Sequence, residues 1–163
     1  MVGDDRARLA EVLDLQEGRG PVPVLDEAAL VALLGSRPRV AVVGVSDRPG
    51  RPSREVFLAL RRAGLDVVPV TPRFASVGGV PAYPDLAAAA AATGPFDIVD
   101  VFRRAEECPP HAEEAVATGA RVLWLQLGIV SWKAARIAHA GGVGVVMDRC
   151  LSVELWRLGG TGG

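Results

Sequence analysis

The sequence predicts an α/β fold: a Rossmann-like, doubly wound and mainly parallel sheet of five or six strands with helices on both faces. Three observations carry this. Apolar runs of strand length, such as Val40-Ala-Val-Val43, show no alternation, as expected of strands buried on both faces. Helix-like segments alternate with these runs over short connections. Gly64, Gly94, Gly119 and Gly141 follow the helix segments, where a left-handed C′ residue is favoured. Right-handed crossovers between parallel strands then wind the helices onto both faces.

The elements follow in order. Asp4 to Leu15 reads as an amphipathic helix, broken by Glu17-Gly-Arg-Gly-Pro21. Asp26 caps a second helix to Leu34, which Gly35 and Pro38 end. Strands are expected at Arg39–Val45, Asp66–Val70, Val80–Ala82, Phe96–Phe102, Arg121–Leu127 and Val143–Met147. Helices are expected at Ser53–Ala63, Asp85–Ala92, Pro109–Thr118, Ser131–Ala140 and Val153–Leu158. The alanine run Ala87–Ala92 is a helix former. Trp124, Trp132 and Trp156 read as packing residues. The domain layout is a helical extension over 1–36, packed on the sheet, a Rossmann-like domain over 37–158 and a flexible glycine-rich tail over 159–163.

The chain has 163 residues and is 50% hydrophobic, enough for one core. Its formal net charge of -1 gives no global electrostatic case for nucleic acid. The two cysteines, Cys108 and Cys150, are far apart, against a disulfide framework or zinc site. No apolar run has membrane-spanning length and no secretory signal opens the chain, so a cytoplasmic protein is expected.

Any anion site must therefore be local. In doubly wound sheets ligands bind beyond the carboxyl ends of the strands. Ser46, Arg48, Arg51, Ser53 and Arg54 follow the first strand, and Thr71, Pro72 and Arg73 the second. Arg103 and Arg104 follow the fourth, Gln126, Leu127 and Gly128 come with the end of the fifth and just after it, and Asp148, Arg149 and Cys150 follow the sixth. Basic groups thus gather at one edge of a nearly neutral protein, suiting a ligand with several phosphates. The first strand reaches its helix through Gly44, which lets the backbone approach a pyrophosphate, and a helix N-terminus there offers free N–H groups. The second strand ends on Arg73 instead of the acid that binds a ribose hydroxyl in NAD sites. An arginine fits a ribose phosphate. NADP and coenzyme A both carry one, and the residues alone leave them open, although G-x-G-x-x-G is absent.

Five stretches together resemble a known family: Val40–Ser53 (VAVVGVSDRPGRPS), Val67–Arg73 (VVPVTPR), Phe96–Arg104 (FDIVDVFRR), Val122–Gly128 (VLWLQLG) and Val145–Cys150 (VVMDRC). They are similar to the small single-domain CoA-binding proteins related to the CoA-binding domain of the succinyl-CoA synthetase alpha subunit. The resemblance implies coenzyme A or an acyl-CoA as ligand, held by a carrier, sensor or regulatory module. It places Gly44, Val45 and Ser46 at the pyrophosphate, with Arg51, Pro52 and Ser53 alongside. Thr71, Pro72 and Arg73 would flank the adenosine, Arg73 near the 3′-phosphate. Val101, Phe102 and Arg103 would line the adenine and pantetheine path, Gln126 and Gly128 would lie towards its thiol end, and Asp148, Arg149 and Cys150 would close the floor. The chain departs from the family at Thr71, where asparagine is usual, and in the shifted glycines of Phe74–Gly79.

No nucleophile elbow or metal-ligand spacing is visible. His111 and His139 fall on expected helices. Asp97 and Asp100, three apart on one strand, point to opposite faces, and Asp100 reads as a buried, hydrogen-bonded acid. The reading is of a binding module and not an enzyme. An NADP-dependent reductase and an interaction subunit with a vestigial cleft are the competing readings. Cys150 reads as a small packing residue, or as a thiolate favoured by Arg149 beside the ligand's thiol.

Overall fold

The computed structural model describes residues Val2–Gly159. Five parallel strands form one sheet: β1 (Val40–Val43), β2 (Val67–Val70), β5 (Ile98–Val101), β6 (Val122–Leu125) and β7 (Gly144–Val146), in the order β2-β1-β5-β6-β7. The chain runs outward from β1 to β2, then returns to add β5, β6 and β7 on the other side. The switch point therefore lies between β1 and β5, where Val43 pairs with Val101.

Burial on both faces explains the unbroken apolar runs. Ala41, Val43, Val99, Val101, Leu123 and Leu125 face one core with α4 (Leu86–Thr93), α5 (Cys108–Ala117) and α6 (Trp132–Ala140). Val40, Val42, Ile98, Val122 and Trp124 face the other, with α2 (Glu27–Gly35), α3 (Pro52–Arg62) and α7 (Leu151–Glu154). α3 buries Ser53, Val56, Phe57 and Leu60, the spacing of one helical face. Asp26, Asp85 and Ser131 cap α2, α4 and α6 by accepting from the N–H groups of Ala29, Ala88 and Ala134.

The N-terminal helix α1 (Val2–Gln16) is tied to the sheet layer. Val12 and Leu15 pack against the α4–α5–α6 core, and the Trp132 indole donates to the Glu11 carbonyl at 3.1 Å.

Four expectations need correction. Val80–Ala82 is not a strand of the main sheet: β4 (Val80–Pro81) pairs antiparallel with β3 (Ser76–Val77) in a small hairpin. Proline at 81 supplies no ladder N–H, which suits so short an edge. The last helix starts at Leu151, not Val153, and gives way to a π-helical turn, Leu155–Gly159. Gly141 has φ −90, and the left-handed residue after α6 is Gly142. Trp124 and Trp132 are buried, but Trp156 is 80% exposed. The expected flexible tail at 160–163 lies outside the described residues.

Candidate functional site

The switch point opens into a cleft of about 980 Å³ at the carboxyl ends of β1, β2, β5 and β6. Its first wall is the β1–α3 loop. Gly44 has φ 79, and a Cβ there would stand 2.5 Å from the Phe102 carbonyl oxygen and 3.0 Å from the Arg103 side chain. Gly44 is thus required by the neighbouring β5 loop as well as by its own backbone. Beyond it, the Ser46 amide donates to Ser53 Oγ at 2.9 Å, and the Arg48 amide to Ser46 Oγ at 3.0 Å. Asp47 Oδ1 accepts from the Gly78 amide at 2.8 Å and from Arg54 Nε at 3.3 Å, joining the loop to the hairpin. The Gly78 bond, with Arg54 beside it, holds the Asp47 carboxyl below its usual range. Pro52 opens α3, the favoured first position of a helix, and the first turn's remaining amides lack helical partners.

The second wall follows β2. Thr71 is buried and its Oγ1 accepts from the Arg73 amide at 3.1 Å, folding Pro72 and Arg73 over the cleft. The third wall, Phe102 to Arg104, follows β5. Arg103 lies 3.1 Å from Glu107, and Arg104 3.4 Å from the same carboxylate. The hydrogen bond from Arg104, with both positive charges near, keeps Glu107 below its usual range.

The charges therefore divide. Arg103 and Arg104 share Glu107, whereas no carboxylate lies within ion-pair distance of Arg48, Arg51 or Arg73 among the described residues. These three sit at the β1–β2 end. Arg103 Nε, by contrast, is buried without a partner. A buried donor left unpaired carries a free-energy cost.

At the far side, Gln126 and Cys150 line the cleft. Gln126 Nε2 donates to Asp100 Oδ1 at 2.5 Å, while Asp100 Oδ2 is buried without a partner. Asp100 is fully buried, which pushes its carboxyl up to about 8 although the Gln126 bond pulls the other way. Cys108 opens α5 fully buried, its thiol against the Arg104 carbonyl at 3.4 Å, and burial pushes it up to about 12. His111 meets Glu114 at 3.1 Å within α5, and His139 is exposed at the end of α6. Asp97 lies at the opposite end of the sheet, accepting from the Arg39 amide at 2.8 Å. No group of three metal-ligating side chains occurs among the described residues, and no helix there is long and apolar enough to cross a membrane.

Gly44, Val45, Ser46, Arg51, Pro52, Ser53, Thr71, Pro72, Arg73, Phe102, Arg103, Gln126 and Cys150 are brought together around this cleft. Val101, Gly128 and Arg149 are not. Val101 points into the α4–α5–α6 core because alternation along β5 turns it away. Gly128 donates its amide to Asp148 Oδ1 at 2.7 Å and borders a smaller cavity next door. Arg149 pairs with Glu154 at 3.4 Å, and its carbonyl accepts from the Trp124 indole at 2.8 Å, so it does not stand over Cys150 as a free cation. Val56, Phe74, Glu107 and Ile129 also line the cleft and were not anticipated. Helical spacing offered one of them, Val56, one turn beyond Ser53, whereas Glu107 lies outside the expected helices. Phe74 and Ile129 had no such signal.

Comparison with known proteins agrees with this geometry. The CoA binding domain family matches residues 38–156. An uncharacterized Bacillus subtilis (strain 168) protein, YneT, is 41% identical over 127 residues, 78% of this chain and 92% of that one. A structure from Thermus thermophilus, cell-free ID.343, has 35% identity and a TM-score of 0.75, covering 82% of this chain and 99% of that one. A hypothetical protein from Pyrococcus horikoshii OT3 has 29% identity and a TM-score of 0.76, covering 82% of this chain and 92% of that one. With most of its length, its sheet and its switch-point cleft inside that match, the chain belongs to the CoA binding domain family.

Proposed function

We propose that the cleft binds coenzyme A or an acyl-CoA through its phosphates, and that the protein acts without catalysis of its own, as a carrier, sensor or regulatory module. The observation that carries this reading is the placement of Arg48, Arg51 and Arg73, cations without carboxylate partners, around the N-terminus of α3 and the end of β2. Coenzyme A presents a pyrophosphate and a ribose 3′-phosphate at two separated points. In this reading the pyrophosphate lies against Ser46, Arg51 and Ser53, and the 3′-phosphate against Arg73. The pantetheine arm then runs past Phe102 and Arg103 towards Gln126. The cleft volume is consistent with a large ligand.

The non-catalytic part rests on the side chains lining the cleft. The lining holds no histidine, and its one carboxylate, Glu107, is shared by two arginines. Cys150 is the cysteine of that lining, and in this reading it lies towards the ligand's thiol end. The test is to denature the purified protein and identify what it releases. Coenzyme A or an acyl-CoA by mass spectrometry supports the reading. NADP would favour a reductase, and release of nothing, with no binding on addition, would favour a vestigial cleft.

A further inference from the structure

A second cavity, of about 180 Å³, adjoins the cleft and shares Arg104 and Ile129 with it. It lies at the β6 side, beside Gly128, beyond the point where Gln126 lines the main cleft. Its outer wall comes from α1, an element outside the stretch matched to the family, which begins at residue 38. The indole of Trp132 holds that helix in place through the Glu11 carbonyl.

The lining is apolar where it meets the core, and the charged side chains of Arg8, Glu11, Arg104 and Glu106 complete its rim. Val12, Ala105, Ile129 and Val130 contribute to it, and Val12 and Ile129 pack against the α4–α5–α6 cluster. The cations at the cavity already face carboxylates: Arg8 lies 3.3 Å from Asp4, and Arg104 lies 3.4 Å from Glu107. They offer no uncommitted charge to a second anion. The cavity is small, so an extended chain would leave it.

We propose that the physiological ligand is a short aliphatic acyl thioester of coenzyme A, whose acyl group lies in this α1-walled cavity. The proposal rests on the coenzyme A reading of the main cleft and adds the class of acyl group. An arm passing Gln126 brings its sulfur to the Ile129 boundary, and what it carries enters the neighbouring space. Free coenzyme A leaves that space unfilled. A carboxylated acyl group of equal length would set its charge beside Glu11 and Glu106, with both arginines of the cavity already facing carboxylates.

Calorimetry on the full chain tests this with free coenzyme A and its acetyl, butyryl, succinyl and octanoyl thioesters. Each buried methylene is worth about fourfold in affinity. Butyryl-CoA is expected to bind at least tenfold tighter than coenzyme A, with acetyl-CoA between them. Succinyl-CoA should show no gain, and octanoyl-CoA no gain beyond butyryl-CoA. Val12→Trp, which fills the cavity, should erase the butyryl gain and leave coenzyme A affinity within about twofold. Should that variant fail to fold, the chain-length series on the unaltered protein decides alone. Coenzyme A binding with all thioesters equal overturns the acyl proposal and leaves the parent reading intact. A butyryl gain retained in folded Val12→Trp overturns the location. Failure of every thioester and of coenzyme A overturns both readings.

Discussion

Gln126, on the wall of the cleft, donates its carboxamide N–H to Asp100, a fully buried acid on the adjacent strand. By register Asp100 lies between Val42 and Trp124 in the middle of the sheet. The bond fixes the orientation of Gln126, so its carbonyl oxygen is the part of the carboxamide left without a hydrogen bond among the described residues.

This pair predicts a pH effect on stability. Burial raises the Asp100 carboxyl to about 8, against 3.8 for the free group. The folded state therefore binds an extra proton between those values. Stability falls as pH rises through that window, by up to about 1.4 kcal/mol per pH unit, and levels off above it. Asp100→Asn should flatten the dependence and be the more stable protein at pH 9. Parallel denaturation curves for the two proteins from pH 5 to 9 would contradict a neutral Asp100.

Arg73 predicts ligand choice. Coenzyme A should bind more tightly than dephospho-CoA by about 1.5–3 kcal/mol, the range for a hydrogen bond to a charged group. Arg73→Ala should remove most of that difference. A variant that weakens both ligands equally would place Arg73 elsewhere than at the 3′-phosphate.

Arg51 is exposed at the start of α3, so its contribution should be screened by salt. Arg51→Ala is expected to weaken coenzyme A binding more at low ionic strength than at high. Titrations at two salt concentrations check this. An equal loss at both would mean a contact shielded from solvent.

Gly44→Ala should destabilise the fold by about 1–3 kcal/mol, because the new methyl meets the Phe102 carbonyl and the backbone there is left-handed. Chemical denaturation measures the cost. Unchanged stability with lost binding would restore the simpler view of Gly44 as a gap for phosphate.

The cysteines should differ in reactivity. Cys150 lines the cleft, whereas Cys108 is fully buried with its thiol raised to about 12. Treatment with CoA disulfide should place one coenzyme A on Cys150. Its thiolate attacks the disulfide, a mixed disulfide forms, and one equivalent of coenzyme A thiolate leaves. Intact-mass and peptide analysis would show it, and modification of Cys108 alone would sink the assignment.

Much of this was legible in the sequence, for identifiable reasons. The runs at Val40, Ile98 and Val122 are apolar because the sheet is covered on both sides, and that is a pattern in one dimension. Residues directly after a strand, such as Ser46, Arg73 and Arg103, were found because topology sends every strand end to one edge. What was not legible depends on facing and pairing. Val101 is the last residue of β5, directly before Phe102, but turns into the core. Arg149 has the right position and the wrong partner, since Glu154 takes its charge. Phe74 reaches the cleft from the loop between β2 and β3, which has no periodic signal to read.

The central claim is that the free cations at the β1–β2 edge read the phosphates of coenzyme A. Calorimetry with coenzyme A, dephospho-CoA and NADP, at one salt concentration, tests it most directly. The account predicts binding in the order coenzyme A, then dephospho-CoA, with NADP weaker than coenzyme A. NADP binding as tight as coenzyme A or tighter, or no binding by any of the three, would contradict it.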